Sequence, residues 1–126
     1  MRYSNQEAFN ICCSHMLRQN KKSCKRIKGS KFPRSLYRGP RGRKCPIGAL
    51  IPNKEYSKKI EDFGVHHLIV SNSIPSLCGL NPELFHEIQL IHDEIPVRKW
   101  KRELSKITNK YRLKMKRIRR KKKKKF

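Results

Sequence analysis

The chain has 126 residues, one domain by length, of which 36% are hydrophobic and 33% charged. Its 33 Lys and Arg against 9 Asp and Glu give a formal net charge of +24, an excess that opposes compaction unless a polyanion neutralises it. Nucleic acid is the leading candidate for that polyanion and an anionic membrane surface the second; the longest apolar run near the middle, Leu68 to Val70, is far short of a spanning helix.

The opening MRYSNQEAFNICC has no sustained apolar core and no small-residue cleavage pattern, so a soluble, non-secreted chain is expected. Ser4 with Glu7 three residues later is a capping-box signature. Ala8, Phe9, Cys12, Cys13, Met16 and Leu17 then form one apolar face, which predicts a helix from about Asn5 to Arg18. Five cysteines stand at 12, 13, 24, 45 and 78, an odd number without a CxxC. Reduced thiols in a cytosol-like, intracellular compartment fit that pattern, an organelle matrix being the other setting. No HxxxH pair occurs among the five histidines, so neither a metal nor a cofactor is expected.

From Lys21 to Lys44 there are eleven Lys and Arg and no acid. The first part, KKSCKRIKGSKFPR, has no apolar period and reads as a basic loop. The stretch SLYRGPRGRKCPIGALIP reads as two short extended segments around a type I turn at Gly39-Pro40-Arg41-Gly42. Cys45, Ile47, Ala49 and Ile51 alternate after it, but Pro46 cannot donate to a ladder, so the strand would be an edge or irregular one. Cys45, Ile47, Leu50 and Ile51 are expected to seat this hairpin on the first helix, with Gly48 permitting close backbone approach. Tyr37 beside arginines could stack on a base, though ordinary packing is the stronger expectation.

The middle of the chain, from Cys45 to Val97, holds three Lys and seven Asp or Glu. NKEYSKKIEDFG predicts a short helix, and VHHLIVSNSIPSLCGL a short helix or strand followed by loop. NPELFHEIQLIHDEI is the clearest helix. Asn81 is its cap, Pro82 opens the first turn, and Leu84, Ile88, Ile91 and Ile95 make the core stripe. Glu83, His86, Glu87, His92, Asp93 and Glu94 mostly fall on other faces and read as a solvated acidic surface, available as an intramolecular partner for a basic block. Cys45 near His66 or His92 would be a nucleophile only with support from the fold, and no local spacing supplies it. No phosphate-binding glycine loop or dinucleotide fingerprint is present.

Trp100, Leu104, Ile107, Tyr111, Met115 and Ile118 recur at three- to four-residue steps. This predicts a final helix continuing past Leu113 into the basic run. Ten cations between Lys114 and Lys125 repel one another at helical spacing. The expectation is therefore a tail frayed beyond about Arg117 when free and ordered when phosphates neutralise it.

The segments QEAFNICCSHMLRQNKKS, LYRGPRGRKCPIGALIPNKEYSKKIED and LIHDEIPVRKWKRELSKITNKYRL resemble a group of small uncharacterised proteins encoded by bacteriophages and some bacteria. Those share an early QEAF helix, a YRG..G.KC.IG.LIP..Y signature, and a late HD followed by Trp. The resemblance runs from Gln6 to about Leu113. It carries no activity to transfer, and implies a compact, non-secreted domain of phage origin. The loop from Lys21 to Arg34 and everything after Leu113 depart from the pattern, so nucleic-acid binding would be an addition to an older domain.

The expected architecture is α+β, mostly α: about three main helices around a short irregular β-hairpin, with a projecting basic C-terminal helix. Residues 1–113 form the compact domain, with the basic loop 19–34 inserted, and residues 114–126 the basic extension. The expected function is non-enzymatic binding of nucleic acid by phosphate neutralisation, RNA slightly before DNA, as part of a ribonucleoprotein or similar assembly that includes other proteins. No small-molecule substrate and no membrane partner are expected. In the loop the phosphate contacts would be Lys21, Lys22, Lys25, Arg26, Lys28, Lys31 and Arg34, and around the turn Arg38, Arg41, Arg43 and Lys44. In the C-terminal segment they would be Arg112, Lys114, Lys116, Arg117, Arg119 and Arg120, then Lys121, Lys122, Lys123, Lys124 and Lys125. The alternative is a phage-type protein-binding inhibitor or host-takeover factor whose tail only aids localisation.

Overall fold

The computed structural model describes residues 2–116. Among the described residues four helices and one short antiparallel hairpin make an α+β architecture that is mostly α. The order is α1 (Asn5–Gln19), β1 (Cys24–Lys25), β2 (Arg34–Ser35), α2 (Val65–Val70), α3 (Pro82–Glu94) and α4 (Trp100–Tyr111), with short 3-10 turns between β2 and α4.

Helix α1 begins where the capping box places it. Ser4 Oγ accepts from the Glu7 N–H and Glu7 Oε1 accepts from the Ser4 N–H, both at 3.0 Å. It ends at Asn20, whose left-handed φ of 54° lets its N–H reach Met16 O. Asn81 caps α3 by accepting from Glu83 N–H and Leu84 N–H. The Asn81 N–H in turn donates to Asn5 Oδ1 at 3.0 Å, which ties the starts of α1 and α3 together. The core between the four helices is built on Phe9, Met16, Phe85, Trp100 and Leu104, all buried. Among the described residues no helix is long and apolar enough to cross a membrane.

Four local expectations are corrected. The hairpin lies inside the basic loop, with Cys24 paired to Ser35 and Lys25 to Arg34, and not in the stretch 35–52. Around Gly39–Gly42 only an isolated bridge, Arg38 to Lys44, remains, and Arg41 takes a φ of 62° that a type I turn does not contain. Beyond it Cys45 to Ile51 is no strand. Ile47 is helical in its backbone and a 3-10 turn follows at Gly48–Leu50, because Pro46 breaks a ladder and burial comes from docking on α1. The predicted helix at 53–64 is two 3-10 turns, Asn53–Glu55 and Lys58–Asp62, separated by extended backbone at Tyr56 and Ser57; Ile60 is the one buried residue of those two turns.

The fourth correction concerns the end of the chain. Helix α4 does not run on past Leu113. Arg112 turns left-handed with a φ of 55°, and the Leu113 N–H bonds back to Thr108 O at 2.9 Å. The chain then returns to α1, where Gln6 holds Lys114 with two bonds of 2.9 Å, one to its N–H and one to its carbonyl. Leu113 and Met115 pack against the core from this returning segment. Met115 therefore keeps its apolar role without being helical. The expected projecting helix beyond Lys116, and its conditional order from Arg117 onward, lie outside the described residues.

Candidate nucleic-acid interface

The first helix does more than fill the core. Cys12, His15 and Gln19 lie on one of its faces, and each grips the segment that follows the loop 38–43. Cys12 Sγ donates to Pro46 O at 3.3 Å and His15 Nε2 bonds Lys44 O at 2.7 Å. Gln19 closes a two-way clamp, donating to Lys44 O at 2.9 Å and accepting from Lys44 N–H at 3.0 Å. A carbonyl accepts only, so His15 carries its proton on Nε2. Burial pushes the His15 pKa below its ordinary value; the bond to Lys44 O works the other way and the charge of Lys44 adds to the lowering. The imidazole is thus neutral at pH 7, and the backbone of Lys44 is fixed on α1.

Beside this seam runs an open groove of about 670 Å³, lined along α1 by Asn10, Ser14, Arg18 and Gln19 and closed by Gly42, Lys44 and Lys116. Three cations meet there: Arg18 from the last turn of α1, Lys44 from the first basic block and Lys116 from the second. The Gln6 clamp on Lys114 is what delivers the second block to this face. Arg18 is absent from the residues read as phosphate contacts. Its signal is the polar row Asn10, Ser14, Arg18 at four-residue spacing, opposite the apolar face of α1.

The remaining expected contacts divide into two groups. Lys21, Lys25, Arg26, Lys28, Lys31, Arg41, Arg112 and Lys114 are exposed. Arg38 is not a surface contact: Nη2 donates to Ile51 O at 3.0 Å and its guanidinium lies 4.3 Å from the centre of the Tyr56 ring. Glu61 accepts from the N–H groups of Tyr37 and Arg38 and from Tyr56 Oη, fastening the same corner. Arg34 is tethered to Glu61 O at 2.9 Å and Asp62 at 3.3 Å, and Lys22 Nζ reaches Asp93 O at 3.1 Å. Arg43 is half-buried, with its carbonyl accepting from Gly39 N–H. Tyr37 is buried, its hydroxyl donating to Phe63 O at 2.6 Å, so it packs and does not stack on bases. Arg117, Arg119, Arg120 and Lys121 to Lys125 lie outside the described residues.

Ser23, His92 and Asp93 come together in a way that spacing did not announce. The Ser23 N–H donates to His92 Nε2 at 2.9 Å, so that nitrogen is unprotonated and Nδ1–H donates to Asp93 Oδ1 at 2.7 Å. A serine, a histidine and an aspartate in sequence look like a nucleophile with its base. Here the backbone of Ser23 meets the imidazole, while its buried hydroxyl bonds Leu36 O at 2.8 Å. The trio anchors the root of the hairpin to α3. Burial pushes the Asp93 carboxyl up, but hydrogen bonds from His92, Ser35 and Gln89 outweigh it and leave the pKa below its ordinary value. His92 is therefore a correction to the solvated acidic surface, which keeps Glu83, His86, Asp93 and Glu94. Glu87 on that surface pairs with Lys110 of α4 at 2.7 Å.

Cys45 is fully buried, its thiol pushed up to about 12 by burial, and Sγ accepts from Gly48 N–H at 3.3 Å. It has no thiolate to offer near neutral pH. Among the described residues no three of His, Cys, Asp and Glu gather where they could hold a metal ion. Ion pairs consume few cations: among the described residues only Arg34, Lys106 and Lys110 pair with carboxylates. Comparison of the chain with family models, with curated proteins and with solved structures finds no match.

Proposed function

We propose that this chain is a non-enzymatic nucleic-acid-binding protein that neutralises phosphates through its basic hairpin, the groove along α1 and its C-terminal segment. RNA within a ribonucleoprotein is the favoured polymer, because irregular cationic segments suit unpaired and folded RNA better than a regular duplex. The observation that carries the reading is the groove, where Arg18, Lys44 and Lys116 from three parts of the chain line one surface. Charges of like sign are brought together there at a cost that a polyanion would remove. Five free cysteines, four of them buried, support residence in a reducing intracellular compartment.

The test is salt-dependent binding to RNA and to duplex DNA, with the full chain and with a chain ending at Lys116. If about six to eight cations touch phosphate, log K falls against log salt by about 0.9 per contact on duplex DNA and about 0.7 on single strands. The shortened chain keeps Met115 on the core, and so the circular dichroism spectrum of the body, while losing orders of magnitude in affinity at low salt. An affinity independent of salt, or no binding at low salt, overturns the reading. Full biological effect from the shortened chain would favour a protein-binding inhibitor instead.

A further inference from the structure

Charge does not account for the tip of the hairpin. Phe32 is 78% exposed and Ile27 is 42% exposed, on either side of a tight turn from Ile27 to Ser30. The Ser30 N–H donates to Ile27 O at 3.1 Å, and Gly29 at the third position has a φ of +85°, as a type II turn requires. Ser30 Oγ also donates to Phe32 O at 3.0 Å and accepts from Phe32 N–H at 3.3 Å. The backbone of Phe32 is thus held in place while its ring is left in solvent. Counting the pairs Cys24 with Ser35 and Lys25 with Arg34 outward sets Ile27 across from Phe32.

A lone apolar residue on a surface is ordinary. This one is an aromatic ring on a fixed backbone, amid Lys25, Arg26, Lys28 and Lys31, in a stretch from Lys21 to Lys44 that contains no acid. A protein surface could cover the ring but would have to supply several carboxylates at once. An unpaired nucleotide supplies a flat π-face and a phosphate on each side of it, which matches a ring flanked by cations one and four positions away. A base inside a duplex hides both of its faces, so a duplex cannot use the ring.

We infer that the hairpin tip is a stacking site for an unpaired nucleobase, with Phe32 supplying the ring and Lys28 and Lys31 meeting the flanking phosphates. The inference rests on the nucleic-acid reading above and sharpens it to single-stranded or looped segments. The test measures binding of the full chain, Phe32→Ala, Phe32→Trp and Phe32→Leu to an unstructured pyrimidine RNA and to a blunt RNA duplex, at one fixed salt and then across a salt series. Phe32→Ala is expected to weaken single-strand binding by about 5- to 150-fold with an unchanged salt slope and unchanged duplex binding. Phe32→Trp restores the affinity and Phe32→Leu does not. Wild-type affinity in Phe32→Ala, an equal loss on the duplex, or full rescue by leucine each overturns the stacking site. Where the full chain binds neither polymer, the nucleic-acid reading itself falls, an outcome distinct from failure of the tip alone.

Discussion

Residues 24–35 and residues 37–51 both draw on the cationic stretch from Lys21 to Lys44 and are held in different ways. In the second region the backbone and the Arg38 side chain are held inward. Arg38 spans Ile51 O and the Tyr56 ring, Glu61 takes two backbone N–H groups, and three α1 side chains hold Lys44 and Pro46. In the first region the side chains of Lys25, Arg26, Lys28 and Lys31 make no hydrogen bond or ion pair among the described residues, and two ladder pairs close the strands. Identical residue types thus build a seam in one place and an open surface a few residues away. What separates them is an acceptor within reach of the side chain, such as Ile51 O for the Arg38 guanidinium, and not local charge density.

The largest expected difference between the two regions is at glycine. A Cβ on Gly48 would lie 1.9 Å from Tyr37 O and 2.8 Å from Tyr37 C, so backbone would have to move. Gly48→Ala is expected to cost about 3 kcal/mol or more and to lower Tm by more than about 10 °C. Gly29 has open space around the same position, and its φ of +85° is the only obstacle. Gly29→Ala is expected to cost about 1 kcal/mol, confined to the hairpin tip. Thermal and urea unfolding of both variants measures this. Equal losses would mean that the hairpin is as locked as the seam.

Much of the fold was legible where one periodic or capping signal decides it. The Ser4–Glu7 box and the Asn81 cap start α1 and α3 where they occur, and the apolar rows of both are buried except for Leu17 and Ile95, which are half-buried, Ile95 just past the end of α3. The seam was not legible, since bonds from Cys12, His15 and Gln19 to backbone groups 25 to 34 residues away leave no period. Two-residue strands are likewise too short to show alternation, so the hairpin read as loop. The end of α4 misled for a different reason. Met115 continues the apolar spacing of the helix, but the chain has already turned at Arg112 and reaches the core by coming back along α1. At the candidate interface the cations were legible from composition. Arg18 joining them and Arg38 leaving them both depend on tertiary neighbours.

The seam also has a pH signature. Burial is the main cause that holds the His15 pKa below the ordinary 6.5, with the bond to Lys44 O opposing it. The unfolded chain takes up the proton at the ordinary value while the folded chain resists it. Stability is therefore complete above that value and falls as pH descends through it toward the lowered folded pKa. The urea midpoint should drop on going from pH 7 to below 6. His15→Gln keeps a donor for Lys44 O and removes the titration, so the slope in that window should flatten. Lys25→Gln in the hairpin should leave it unchanged. A slope identical in His15→Gln and the parent would assign the acid sensitivity elsewhere.

The smallest effect sharpens the boundary between the two regions. Arg41 stands at the tip of the loop that the seam closes, between the bonds Gly39 N–H to Arg43 O at 2.8 Å and Arg43 N–H to Pro40 O at 3.3 Å. Its φ of 62° and ψ of 29° are left-handed, a conformation that costs an L residue about 1–2 kcal/mol, while its exposed side chain bonds to nothing among the described residues. Strain held at an exposed cation is reason to test that cation for function. Arg41→Gly relieves the strain but gives the unfolded chain more freedom, which offsets about 0.5–1 kcal/mol of the gain. The net change in stability should be a gain of a few tenths of a kcal/mol, near the limit of urea unfolding. If Arg41 touches phosphate, the same variant should reduce the single-strand salt slope by about 0.7 and weaken RNA binding. Arg41→Asn also tolerates the left-handed backbone and should reproduce the binding loss without adding freedom to the unfolded chain. Unchanged binding in both variants would place Arg41 with Arg38 as a residue that shapes the loop, and would confine the cationic surface to the hairpin, the α1 groove and the C-terminal segment.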